Sequence, residues 1–228
     1  MNFNEAVARL ASLPAELPAP PDVLMPVRLD TGERRRPTVT SGPADAIPAS
    51  VLVLITPDRD AAAAGAPADG AAAGASAADA VAELILIERA RHGHHPGEIS
   101  FPGGRAEAGE AAEETALREA AEEVGLDAAA AEVRVIGQLE TFWIPVSGYR
   151  VRPILAVADR RPVLRPSPDE VAAIIRAPLA AFVPPAPIQL VETTIRGWSL
   201  RYGAYPVGEH LVWGATARIL GQLGALLG

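Results

Sequence analysis

The sequence predicts an α/β fold in which a mixed sheet lies between helical layers, and three observations lead there. Ser50 to Ile55 and Leu84 to Ile87 are short aliphatic, β-branched runs, the first bounded by Pro48 and Pro57, as buried strands are. Ala111 to Val124 is rich in Ala, Glu and Leu with no Pro or Gly inside, so it reads as a helix, and Gly125 stands where a helix ends. Further strand patterns and a closing helix follow in an interleaved order that a layered α/β domain accommodates.

At the N-terminus Asn2 is a candidate helix cap, with Glu5 completing a capping box and Phe3, Val7 and Leu10 recurring at helical spacing as a packing face. Pro14, Pro18, Pro20 and Pro21 end that helix, and the chain to Pro48 reads as irregular, with Arg34, Arg35 and Arg36 as a solvated basic cluster. Thr56 to Ala82 holds 14 Ala and 3 Gly in 27 residues. So little of it can anchor a core that it reads as a low-complexity insertion at a hairpin tip, with an Ala-rich helix as the alternative for part of it.

Beyond the central helix, Glu132 to Leu139 alternates as a strand, and Gly148 to Val157 is another whose Pro153 marks an edge or a bulge. Ser167 or Asp169 is expected to cap a short helix starting near Glu170. Ile188 to Thr194 and Trp198 to Tyr202 read as a hairpin turning at Arg196-Gly197. Trp213 to Leu227 is the closing helix, with Trp213, Ala217, Leu220 and Leu223 or Leu227 inward; Trp198 and Trp213 are expected in the core.

Bulk properties narrow the function. A chain of 228 residues suits one sizeable domain with an appendage. The absence of Cys excludes disulfides, thiolate catalysis and Cys-ligated zinc. No signal-peptide pattern and no apolar run near the roughly 20 residues of a membrane helix occur, so a soluble cytoplasmic protein without a membrane partner is expected. A net charge of −8 argues against a general nucleic-acid surface and leaves room for a local basic patch.

The acid is concentrated where chemistry can use it. From Gly104 to Leu126 there are seven Glu against two Arg. On a helix Glu119, Glu122 and Glu123 stand at i, i+3 and i+4 and share a face, where like charges repel by a few tenths of a kcal/mol per pair. A hard divalent ion bound through oxygen would compensate them. Arg118, four residues before Glu122 and eight after Glu110, is suited to steady the carboxylates without taking the metal position.

Gly104, Glu110, Arg118-Glu119, Glu122-Glu123, Gly125 and Leu126 stand at the spacing of the Nudix hydrolase signature, which this stretch resembles at every fixed position, with Ala120 a small substitute for a larger aliphatic. The resemblance implies an α/β/α sandwich with a mixed sheet. It also implies a loop, helix and loop that hold Mg2+ or Mn2+ against a diphosphate: Glu119 and Glu123 at the metal, with Glu122 and the Gly104 carbonyl completing the shell. On this reading residues 1–46 are an N-terminal helix and irregular segment and 47–228 the hydrolase domain. Upstream, Leu86-Ile-Glu-Arg89-Ala90 and His95-Pro-Gly97-Glu-Ile-Ser-Phe101-Pro-Gly-Gly104 resemble the extra signature of the coenzyme A pyrophosphatases. So do Ser147 to Pro153, Asp169-Glu-Val171, Ala177-Pro-Leu179 and Trp213 to Ala217. The loop from Arg89 to Gly97 is one residue shorter than the usual pattern, with Gly93 or His94 where an Arg is common.

The resemblance therefore implies hydrolysis of coenzyme A to 3′,5′-ADP and 4′-phosphopantetheine. Its rivals are ADP-ribose, NADH or another nucleotide as substrate, and a non-catalytic nucleotide-binding module. Glu119, Glu122 and Arg118 are the catalytic candidates; the proton acceptor is one of the helix glutamates or a carboxylate from another loop, Glu140 or Glu170. Gly97, Gly103 and Gly104 let backbone approach phosphate oxygens, and Arg89, Arg91, Arg105, Arg150 and Arg152 offer cations to a diphosphate and a 3′-phosphate. Arg89, His95, Gly103, Arg105 and Arg150 form the substrate-binding set. His92, His94 and His95 lack further ligands at zinc spacing, Phe101 is an apolar plug before the glycines, and Trp143 is a candidate to stack on adenine. A homodimer is among the expected partners.

Overall fold

The computed structural model describes residues 1–34, 42–58, 80–90, 97–195 and 197–228. Its central element is the strand β2 (Ile47–Asp58), preceded by helix α1 (Phe3–Leu10) and the short strand β1 (Val27–Arg28). β2 runs parallel to β8 (Tyr149–Ala158) and antiparallel to β3 (Val81–Arg89), and the sheet extends through β6 (Val133–Gln138) on one side and β9 (Val171–Pro178) on the other. It is mixed, as expected.

Alternation along these strands divides the core in two. Val53, Ile55, Leu84, Leu86, Leu155 and Val157 face one layer, where α1 and the C-terminal helix α3 (Gly214–Leu227) pack. Leu52, Leu54, Ile85, Ile87, Ile154 and Ala156 face the other, where Ala116, Ala120 and Val124 of helix α2 (Ala112–Val124) pack at i, i+4 and i+8. Because both faces are covered, the strands read as unbroken aliphatic runs. Helices on both faces complete the expected α/β/α sandwich.

β2 and β3 pair only from Ile55–Asp58 to Val81–Leu84 and then diverge. Into that fork runs the segment after Gly97: β4 (Ile99–Ser100) pairs with β3, and β5 (Gly103–Arg105) pairs with β2. Phe101 is 2% exposed between them, and the Leu52 N–H donates to the Pro102 carbonyl at 2.8 Å. The fork delivers Gly103 and Gly104 to the face that α2 covers.

Asn2 caps α1 by accepting from the Glu5 N–H at 2.7 Å, and Phe3, Ala6 and Leu10 form its buried face, with the partly buried Val7 packed against the same core. Gly125 ends α2 at φ 64°. A second sheet holds β1, β10 (Gln189–Ile195), β11 (Trp198–Val207) and β12 (His210–Val212), with Gly197 at φ 80° in the turn of the β10–β11 hairpin.

Four expectations are corrected. Residues 168–170 form a turn and no helix starts at Glu170; the β-branched Val171, Ile174 and Ile175 continue as β9 because β3 offers a ladder there. Pro153 lies inside the sheet rather than at an edge. Its missing N–H falls where β8 changes partner from β6 to β7 (Phe142–Ile144), and its carbonyl accepts from Leu139. Trp198 is 48% exposed, with the Arg28 guanidinium 3.6 Å from its ring centroid, so it is no core residue; Trp213 is half-buried and stacked on Tyr202 at 5.1 Å. Thr56–Asp58 and Val81–Ala82 belong to the paired strands, which narrows the Ala-rich insertion to the 59–79 stretch, outside the described residues. Arg35, Arg36, Arg91, His92, Gly93, His94 and His95 also lie outside them.

Candidate active site

The site is built where β5 meets α2. Gly103 has φ 150°, and a Cβ there would lie 2.3 Å from the Ser50 carbonyl oxygen, so only glycine lets β5 close on β2. Its N–H donates to Glu123 Oε2 at 2.8 Å. At Gly104 a Cβ would stand 2.6 Å from the Glu119 carboxyl carbon. The two glycines thus bring backbone into contact with two of the three helix glutamates.

The carboxylates differ in environment. Glu123 is 4% exposed, and burial pushes its carboxyl up to about 7, with the charges of Glu119 and Glu170 adding to the effect and the Gly103 N–H and Arg89 opposing it. Burial also raises Glu119, against a hydrogen bond from Arg118. The Glu122 side chain is 55% exposed. The charged forms of Glu119 and Glu123 are therefore held in a place that disfavours them.

Arg118 organises the rest. Its Nε and Nη2 fork onto Glu110 at 2.8 and 3.1 Å, Nη1 donates to Glu119 at 3.0 Å and Glu122 at 3.1 Å, and Nη2 also reaches the Arg105 carbonyl at 3.1 Å. Glu110 in turn accepts from the Glu107 N–H and the Thr115 hydroxyl, both at 2.9 Å. The Arg118 guanidinium and these donors hold the Glu110 carboxyl down at about 2. The loop from Arg105 to Glu110 is thereby pinned to the start of α2, where Glu114 reaches back to the Ala111 N–H. Over this loop lies an open cavity of about 470 Å³ lined by Arg105, Glu107, Arg118 and Glu119.

Among the described residues no three carboxylate or imidazole side chains already converge as a metal cage, because Arg118 draws Glu119 and Glu122 to itself. The donor set nevertheless fits a hard cation. Burial and neighbouring carboxylates disfavour the charged forms of Glu119 and Glu123, which a cation would offset, and the exposed Glu122 stands beside them, bonded to Arg118 at 3.1 Å.

Of the other sequence candidates, Arg89 acts electrostatically on Glu123 and Arg105 lines the cavity. Arg150 donates instead to the carbonyls of Gly42 and Pro43, at 3.3 and 2.8 Å. The Trp143 ring packs against Gly42. Glu140 pairs with the buried Arg218 at 2.7 Å, and its N–H donates to Gln222; it serves the packing of α3. Glu170 acts on both Glu119 and Glu123, because its turn docks on the end of α2 through Ser167 N–H to the Glu123 carbonyl. The Gly103–Glu123 bond carries no sequence signal beyond the two residue types; it exists only because the β2–β3 fork admits β5.

Residues 69–200, more than half of the chain, match the family model described as NUDIX domain. Over 142 residues the chain is 36% identical to NudL of Photorhabdus laumondii subsp. laumondii, named as an uncharacterized Nudix hydrolase, with 61% of this chain and 74% of that protein covered. NudL of Salmonella paratyphi B is 35% identical over 147 residues, covering 64% and 75%. The crystal structure of a Nudix hydrolase from M. Smegmatis, RenU, aligns with a TM-score of 0.45 at 19% identity, covering 69% of this chain and 80% of that one. On the family model and the two NudL relatives, the chain belongs to the Nudix hydrolase family.

Proposed function

We propose that this protein hydrolyses the diphosphate bond of coenzyme A, with Mg2+ or Mn2+ held by Glu119, Glu123, Glu122 and the Gly104 carbonyl. The observation that carries the catalytic part is the pair of desolvated carboxylates set against Gly103 and Gly104. The coenzyme A part rests on the signature from Leu86 to Gly104 and on the later stretches that resemble the same subfamily.

A bound divalent ion supplies Lewis-acid polarisation of the phosphoryl oxygens and makes water a better nucleophile. The chain does the remainder. Gly103 N–H fixes Glu123, and Arg118 fixes Glu119 and Glu122 through their Oε1 and Oε2 atoms. Water oxygen bonds to one phosphorus, the bridging P–O bond breaks, and a phosphate monoester leaves. The water proton passes to a carboxylate, for which Glu122 and Glu170 are the candidates: Glu122 by its exposure and Glu170 by its reach to both buried glutamates. Arg89 and Arg105 neutralise phosphate charge at the rim.

The test is the relative kcat/KM for coenzyme A, ADP-ribose and NADH with each metal, with product analysis for 3′,5′-ADP. A clear preference for coenzyme A supports the reading. Preference for either other substrate transfers the activity to another Nudix reaction, and tight nucleotide binding with no turnover points to a binding module.

A further inference from the structure

Four serine and threonine side chains are buried among the described residues. Thr115 donates to Glu110 at 2.9 Å, Thr216 donates to the Ile99 carbonyl at 3.0 Å, and Thr56 is sealed in the sheet with no bond. Ser50 differs from all three. It is 1% exposed, its hydroxyl has no partner among the described residues, and it lines a cleft of about 360 Å³ with Pro48, Glu110 and Ala112. Strand alternation explains the place. Pro48, Ser50, Leu52 and Leu54 of β2 share the face that α2 covers; Leu52 and Leu54 lie in the core beneath the helix, while Pro48 is exposed. Ser50 is thus the step from core to open surface. Directly opposite it on β5 stands Gly104, whose missing side chain leaves the hydroxyl uncovered. Glu119 reaches into that space, since a Cβ on Gly104 would be 2.6 Å from its carboxyl carbon. Opposed Cβ positions on paired strands are about 5 Å apart, so the Ser50 Cβ and the Glu119 carboxyl lie within roughly 8 Å of each other. An oxygen of a bound group fits between them.

We propose that the Ser50 hydroxyl contacts the substrate, donating to a non-bridging oxygen of the diphosphate held at Glu119. The inference rests on the diphosphate reading above and adds a substrate contact outside the glutamate helix and the arginines. Its support is an unmade bond, near-complete burial and access to one cleft, because a donor withdrawn from water is unfavourable until something accepts from it. A phosphoryl oxygen accepts well, and its negative charge strengthens the bond. The hydroxyl is placed before a ligand arrives: Ser50 is paired on both sides, with Gly104 on β5 and with Arg152 on β8, so its backbone needs no movement to aim it. The opposite wall of the cleft is the 105–110 loop, itself pinned by the bond from Arg118 to Glu110.

Calorimetric titration of the full chain with methylenediphosphonate in Mg2+ reads the contact without turnover, and kcat/KM for coenzyme A reads it in the reaction. S50A should weaken diphosphonate binding and lower kcat/KM, each by about tenfold or more, the scale of one hydrogen bond to a charged group. S50T, which keeps the hydroxyl, should restore most of both. Affinity for Mg2+ alone should be the same in the parent and S50A, and the melting temperature should not fall. Unchanged binding and kcat/KM in S50A, an equal loss in S50A and S50T, or a loss of Mg2+ affinity that accounts for the effect overturns the contact. So does a parent protein that binds no methylenediphosphonate at millimolar concentration. If Ser50-dependent binding holds while coenzyme A is not cleaved, the activity reading fails and the contact stands. If S50A cleaves coenzyme A at the parent rate, the contact fails and the activity reading stands.

Discussion

The Gly103 N–H and the Glu123 carboxylate are joined at 2.8 Å across 20 residues of sequence. That bond fixes the most buried acid of the site to β5, the strand that pairs with β2 inside the β2–β3 fork. Glutamine at position 123 keeps an oxygen for Gly103 and loses the charge. E123Q should therefore fold with a melting temperature within a few degrees of the parent and lose more than about 100-fold in kcat, beyond what outer-shell changes at metal sites cost. Near-normal turnover of a folded E123Q protein at saturating Mg2+ would sink the metal assignment.

The two glycines should respond differently to alanine. At Gly104 the clash is with the end of the Glu119 side chain, which can swing away, so G104A should cost under about 1 kcal/mol of stability. It should still reduce kcat/KM at least tenfold by moving Glu119. At Gly103 the clash is with backbone at φ 150°, and G103A should destabilise by about 3 kcal/mol or more. Denaturant unfolding and kinetics on both variants distinguish the cases.

Glu123 predicts the pH dependence of the metal-free protein. Its carboxyl titrates near 7 when folded, against an ordinary value of 4.5. Between those values the folded state binds the extra proton, so stability falls as pH rises from 4.5 to 7, by on the order of 3 kcal/mol from this group. Glu110 acts oppositely: its stabilisation is present above 4.5 and is lost as pH falls toward about 2. Chemical denaturation in chelator across pH 4 to 8 should show the decline, and E123Q should flatten it.

Arg118 holds Glu110 through two parallel bonds that lysine cannot reproduce. R118K should speed amide exchange in the 105–110 loop and lower activity more than tenfold, even though the charge is kept. An unchanged exchange rate would show that the loop is held by something else.

Glu140 belongs to a different part of the molecule. E140A leaves Arg218, 7% exposed, without its partner, and should destabilise by about 3 kcal/mol. Below its melting temperature it should retain activity, which would remove Glu140 from the candidates for proton acceptor. A folded but inactive E140A would reinstate it.

Much of this architecture was legible in the chain. The Asn2 cap, the aliphatic strands at the centre of the sheet and the glutamate helix ending at Gly125 are local patterns, set by residue type and period over a few turns. The turn before β9 was not, because Asp169-Glu170-Val171 carries cap-like chemistry that only the presence of β3 overrides. Nor was the position of Pro153, whose missing donor is harmless only where β6 gives way to β7. Trp198 read as core because its size suggests burial, whereas it lies half-exposed with its ring against the guanidinium of the half-buried Arg28.

The sequence by itself determined the family, the helix and the face on which Glu119, Glu122 and Glu123 stand, since spacing along one helix fixes direction. Only the tertiary structure decided which acids are desolvated, which of them Arg118 holds, and that Ser50 opens to a cleft opposite Gly104. Those depend on strands far apart in sequence meeting in register, and burial and charge act through space rather than along the chain.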